Sequence, residues 1–229
     1  MARALTIISS MATRLMLAEL AGSYRRRRGV EVELEAVGGV DAARRVEAGE
    51  SFDLVVLADS ALTRLSAAGV VDTATVTPIA SAEVAVAVRE GAALPAINTE
   101  SALRDAVLAA RTIGYSTGPS GQHLLKVFER WGIADAVASR IVQAPPGVPV
   151  GKLIAEGQVE LGFQQLSELI ALKGILIAGP LPEGIQVTTV FAGAVCVRST
   201  QPDQALALLR DLADAAHDAL RRRHGMAPV

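Results

Sequence analysis

The 229-residue sequence predicts an α/β fold of two lobes, each a mainly parallel sheet flanked by helices. Three observations carry that expectation. Short apolar runs alternate with longer stretches of helical periodicity along the whole chain. The run Asp53-Leu-Val-Val-Leu-Ala58 is apolar without alternation, as in a strand covered by helices on both faces. The rhythm changes near residue 82 and a second alternation starts at Thr112, which marks a second sheet.

In order, residues 5–9 read as a strand and 12–28 as a helix stopped by Gly29. Residues 30–36 form a second strand, and Gly38-Gly39 turns the chain into a helix through Ala48. Residues 53–58 are the third strand, followed by a short helix, 62–68, ended by Gly69. Alternation of this kind implies parallel pairing with right-handed crossovers. Residues 83–89 carry valine at alternate positions and read as a strand, and 100–110 as a helix.

From Thr112 a short strand leads through a Gly/Pro/Ser turn into a helix ending at Trp131, with Leu124, Leu125, Phe128 and Trp131 on one face. Strands at 141–143 and 161–165 flank a helix at 150–156. After Pro180-Leu-Pro182 the chain returns as a strand, 186–197, and closes with one long helix, 202–222. Strands near 82–88 and 186–192 are placed to cross between lobes. The expected division is therefore 1–81 plus 190–229 for one lobe and 82–189 for the other, with a ligand cleft between them.

Composition narrows the function. At 51% hydrophobic the chain has ample core, and a net charge of −2 with 3% aromatics gives no footprint for nucleic acid. Mean hydropathy of +0.37 argues against disorder. The arginine runs at 25–28 and 221–223 each end a predicted helix, where they oppose the dipole and stay in solvent. The lone Cys196 lies in an apolar strand and reads as a buried, inert thiol. His123, His217 and His224 lack metal-ligand spacing, so neither metal nor cofactor is expected. No apolar run is long enough to span a bilayer, and Met1-Ala-Arg passes directly into the first strand without a leader pattern. As written the chain is expected in the cytoplasm; with an omitted leader it would be periplasmic, partnered by an ABC permease.

Ligands of such sheets bind beyond the carboxyl ends of the strands. That places Ser9 and Ser10, Gly39 and Val40, Thr117, Ser120 and Gly121, and Gln164 and Gln165 at one ligand site. The turn at 117–121 lacks a catalytic acid, and its small residues leave backbone N–H groups bare at a helix start, where an anion is favoured. A small anion is the expected ligand. Asp59 closes a strand at the same end and serves more naturally as a cap for the next helix.

These residues resemble a family. The strings Gly29-Val-Glu-Val, Asp41-Ala-Ala-Arg-Arg-Val-Glu-Ala-Gly49, Phe52-Asp-Leu-Val-Val-Leu-Ala-Asp59 and Pro119-Ser120-Gly121 are similar to type II periplasmic binding proteins of the molybdate-binding branch of ABC-transporter receptors. The resemblance implies a two-lobed fold. It also implies an oxyanion held by serines from the first two strand–helix turns, backbone amides and a tyrosine. Those three hydroxyl positions fall on Ala12, Gly39 and Gln165 here. A methyl, a hydrogen and a carboxamide in their place favour a larger di- or tricarboxylate over molybdate. The string Gly162-Phe-Gln-Gln-Leu-Ser-Glu168 also resembles the branch that contains aconitate isomerase. Three functions stay open: a solute receptor that performs no chemistry, a cytoplasmic isomerase with His123 as base and Tyr115 and Ser120 as donors, and, ranked last, a metabolite sensor that passes a hinge motion to a separate partner.

Overall fold

The computed structural model describes residues 3–229; the start at Met1 and Ala2, on which the leader reading rests, lies outside the described residues. The chain divides into two compact units, Met1–Ser81 with Val190–Val229 and Ala82–Thr189. The first opens with β1 (Leu5–Ser10), a 3-10 turn at Met11–Thr13, α1 (Arg14–Arg28), β2 (Val32–Val37), α2 (Gly39–Glu47), β3 (Leu54–Ala58) and α3 (Asp59–Ala67). Strand β4 (Thr77–Arg89) runs into the second unit, which continues with α4 (Glu100–Ala109), β5 (Ile113–Tyr115), α5 (Pro119–Arg130), α6 (Ala134–Val137), β6 (Ile141–Gln143), α7 (Val150–Ala155), β7 (Leu161–Gln165), α8 (Leu166–Leu169) and β8 (Ile175–Pro180). The return strand β9 (Thr188–Val195) leads to α9 (Pro202–Ala213) and α10 (Asp218–Arg223) in the first unit.

In the first unit β1 pairs parallel with both β2 and β3, as the alternation predicts. The return strand β9 is antiparallel to β3. All five residues of β3 are buried. Val55 and Leu57 pack with α2 and α3, while Val56 points to the opposite face, where Leu209 of α9 lies against Gly193. Helices therefore cover both faces, which explains the unbroken apolar run. Among the described residues, strand β2 has only β1 as a neighbour, and its Glu33 and Glu35 face outward as expected of an edge. Gly29 ends α1 in the left-handed conformation at φ 67°.

In the second unit β5 pairs parallel with β6 and β7, and β4 lies antiparallel to β7 and β8. Gly114 and Gly162 stand opposite each other on β5 and β7. A Cβ on Gly114 would sit 2.7 Å from Val159, and one on Gly162 would sit 2.9 Å from Val150. Two missing side chains thus let α7 lie close on this face. The opposite face carries Ile113, Phe163, Leu124, Val127 and Phe128 in one core. Phe128 meets Phe163 edge-on at 6.4 Å, and Trp131 donates its indole N–H to Glu100 at 2.6 Å.

Several expectations need correcting. Strand β4 starts at Thr77 rather than 83, because Pro78 and the small residues after it carry no strand pattern. Helix α3 starts at Asp59 rather than 62. Strand β8, half exposed along its length, and the short helices α6 and α8 were not foreseen. The long terminal helix is broken: α9 stops at Ala213, Asp214 is extended and its carboxylate caps Ala216 N–H at 2.8 Å, and α10 follows. Arg221 causes the break to persist. It does not stay in solvent but is 1% exposed, and donates to the carbonyls of Ile79, Leu212 and Asp214. The other run behaves as expected at a helix end, with Arg27 bound through both nitrogens to Asp211.

Candidate functional site

The candidate residues occupy the carboxyl ends of parallel strands. In the first unit, alternation along β1 sends Ile8 and Ser10 to the face covered by α2 and α3, and Ser9 to the other. Ser9 is buried and its hydroxyl turns to the Ser10 carbonyl at 3.3 Å. Ser10 is also buried, and its hydroxyl has no partner. The first residue of α2, Gly39, lies beside it: a Cβ added at Gly39 would come 3.5 Å from the Ser10 Cβ. Val40 follows with its side chain 61% exposed, so only its backbone N–H, in the first turn of α2, suits a ligand contact. Asp59 does not cap at Ala61: it is the first residue of α3, whose N-cap is Ala58, and its carboxylate accepts instead from the neighbouring Ser60 N–H at 2.6 Å.

In the second unit the turn after β5 is tighter than the sequence suggests. Gly121 N–H is not bare, for it donates to the Gly118 carbonyl at 3.1 Å. Gly121 is glycine for a packing reason as well, since a Cβ there would overlap the Ser116 carbonyl and lie 2.7 Å from the Tyr115 ring. Ser120 is buried and shares a hydrogen bond of 3.0 Å with Ser116, which leaves the accepting hydroxyl its own proton to donate. Thr117 is half-buried in the bend between them. His123 is the fifth residue of α5, beyond the first turn, where the dipole acts less. Its Nε2 meets the Ile185 carbonyl at 2.7 Å. A carbonyl only accepts, so Nε2 carries the proton and Nδ1 is the ring atom able to take one.

The adjacent glutamines have different jobs. Gln164 shares its face with Gly162, towards α7. Its Oε1 accepts from Val150 N–H, the first residue of α7, at 2.8 Å, and its Nε2 donates to Glu168 at 2.6 Å. Both ends of that carboxamide are engaged in holding the fold. Gln165 points to the α5 face and is the last residue of β7. It is buried and its Nε2 is without a partner. One residue outside the expected set shares this property: Ser167, buried on α8, has an unpartnered hydroxyl. Its signal in the sequence was a hydroxyl just after a strand, hidden because α8 was not anticipated. Among the described residues, no group of His, Cys, Asp and Glu side chains is gathered to hold a metal ion. These turns carry no lysine or arginine either, so their chemistry is that of neutral donors.

The family of bacterial extracellular solute-binding proteins matches residues 5–227. The chain belongs to that family. This solute-binding protein is 33% identical over 231 residues to a Pseudomonas protein named aconitate isomerase, covering 98% of this chain and 88% of the relative. Its fold is that of the periplasmic molybdate-binding protein of Azotobacter vinelandii, with a TM-score of 0.82 at 18% identity over 98% of this chain and 99% of the other. It is also that of the sulfate-binding protein SubI of Mycobacterium tuberculosis, with a TM-score of 0.78 at 18% identity over 100% and 88% of the two chains. The type II periplasmic-binding fold and the resemblance to its molybdate-binding and aconitate-isomerase branches are thereby established. No helix among the described residues of this solute-binding protein is long and apolar enough to cross a membrane.

Proposed function

We propose that this solute-binding protein takes an organic di- or tricarboxylate as its ligand and holds it with neutral donors at the carboxyl ends of parallel strands. One observation carries the reading. Among the described residues, the buried side-chain atoms without a partner are Ser10 Oγ, Gln165 Nε2 and Ser167 Oγ, and every one follows or ends a parallel strand. Leaving such a group unpaired costs about 1–3 kcal/mol, so a ligand bearing acceptor oxygens relieves the turn. Gly39 carries no side chain beside Ser10, and a carboxamide stands at Gln165, a combination that suits a carboxylate-bearing molecule better than a tetrahedral oxyanion. Where the protein is exported, an ABC permease is the partner its family implies.

The test is a melting screen against citrate, cis- and trans-aconitate, molybdate, tungstate and sulfate. A ligand at about a hundred times its Kd stabilises by about 2.7 kcal/mol, or roughly 5–11 °C for a chain of this length. A shift by carboxylates supports the reading; a shift by molybdate or sulfate alone overturns it.

The relative named aconitate isomerase supports a second reading, in which the bound tricarboxylate is also isomerised. A base would remove a proton from the carbon next to one carboxylate and return it at the far end of the allylic system, moving the double bond. His123 Nδ1 has the free lone pair for this, with Nε2 anchored on Ile185. Proton NMR of aconitate in deuterated buffer separates the readings: isomer interconversion with deuterium uptake, lost in His123→Ala, marks the enzyme. Binding without exchange marks the receptor.

A further inference from the structure

We propose that Ser167 is a specificity-determining ligand donor that acts with Gln165 on a single carboxylate, while Gln164 positions both. The proposal rests on the carboxylate reading above and goes beyond it by assigning a residue and a division of labour. Gln165 and Ser167 lie two residues apart on one strand-to-helix turn, both buried and both unpartnered through a side-chain atom. An unpaired amide nitrogen can only donate, and a hydroxyl two residues along the same turn can donate too. A carboxylate supplies two acceptor oxygens on one carbon, which suits a pair of donors so close along the chain. Gln164 lies between α7 and α8 in the hydrogen-bond pattern, fixed to Val150 N–H at 2.8 Å and to Glu168 at 2.6 Å. It sets where the chain leaves β7 and hence where the two donors stand.

The role separates from a structural one because the two act oppositely on the empty protein. Removing a buried hydroxyl that has no partner does not destabilise the ligand-free fold, whereas removing one that braces it does. The experiment titrates cis-aconitate, trans-aconitate and citrate into wild type, Ser167→Ala and Gln165→Ala by calorimetry, with ligand-free melts of each. Ser167→Ala is expected to melt at or above wild type without ligand and to bind the preferred carboxylate about tenfold more weakly. Ser167→Cys keeps the volume, donates weakly, and gives the same loss if the alanine variant does not fold. Wild-type affinity in the serine variants, with Gln165→Ala impaired, overturns the assignment of Ser167 and leaves the carboxylate reading standing. A lowered ligand-free melt with unchanged affinity overturns it too, by showing a brace. A wild type that binds none of the three overturns the carboxylate reading and this assignment together.

Discussion

Replacing Arg221 by methionine should unfold a large part of the first unit's stability. The guanidinium reaches the carbonyls of Ile79 at 2.7 Å, Leu212 at 2.9 Å and Asp214 at 2.9 Å, and the Asp218 carboxylate at 2.7 Å. Methionine keeps an apolar stem of similar length but none of these donors. The Ile79 and Leu212 carbonyls then lose the Arg221 donors, at about 1–3 kcal/mol for each buried acceptor left unpaired, while the Asp214 carbonyl keeps the His217 N–H at 3.0 Å. Asp218 is partly exposed and recovers water, so its share is about 1 kcal/mol at most. Removing one member of a buried charged network costs about 3–5 kcal/mol in general, and the two carbonyls arrive in the same range. We expect a loss of about 4 kcal/mol, which lowers the melting temperature by about 8–16 °C at this chain length. Urea denaturation followed by circular dichroism at neutral pH gives the free energy, and calorimetry gives the melt. Arg221→Lys, with one ammonium for four acceptors, should fall between the two. A methionine variant within about 1 kcal/mol of wild type would refute the view that this side chain holds the break between α9 and α10.

Other outcomes follow from local geometry. Gly39→Ser adds a Cβ only in ordinary contact with Ser10, so its melt should match wild type while its affinity for citrate or aconitate falls about tenfold, read by calorimetry. Gly121→Ala drives a methyl into the Ser116 carbonyl and should cost about 3 kcal/mol in urea unfolding. Burial, reinforced by the Asp53 carboxylate, pushes the Cys196 thiol up to about 12, so a thiol reagent should label it only as fast as the protein unfolds. Burial raises the Asp211 carboxyl, but the two-pronged bond from Arg27 outweighs it and leaves the group below its usual range. A depressed carboxylate stabilises above its unfolded value and loses that effect as pH falls through the folded one. Asp211→Asn should therefore melt below wild type above about pH 4, with the gap closing in more acid buffer.

The fold was legible where one physical cause acts over a short stretch. Alternating strand and helix patterns, glycine stops such as Gly29 and Gly69, and the doubly covered strand β3 each leave a local trace. Arg221 leaves none. A basic run after an amphipathic helix looks the same whether it meets water or three carbonyls, and one of those carbonyls belongs to Ile79, 142 residues earlier. Strand β8 escaped for a related reason: half exposed, it lacks the apolar signature that burial imposes.

At the candidate turns the sequence does not reveal which residue of each adjacent pair faces which way. In a strand, neighbours point to opposite faces, so Ser9 and Ser10, or Gln164 and Gln165, are interchangeable on paper until the covering helices are placed. Packing decides. Gly162 opens the α7 side of β7, and Gln164 follows it there to bind Val150 N–H, which sends Gln165 to the other face. Ile8 joins the core under α2 and α3, and Ser10 follows it towards Gly39. In each pair the inner residue spends its polar atoms on the chain and the terminal residue keeps one unspent. Ser9 and Gln164 are hydrogen-bonded, and Ser10 and Gln165 are the last residues of their strands. Because the unspent groups are neutral, selectivity among anions at these turns must come from the number and spacing of acceptor oxygens rather than from net charge. Affinity should therefore change little with ionic strength, in contrast to a site lined with arginine or lysine, and a calorimetric titration repeated at low and high salt separates the two.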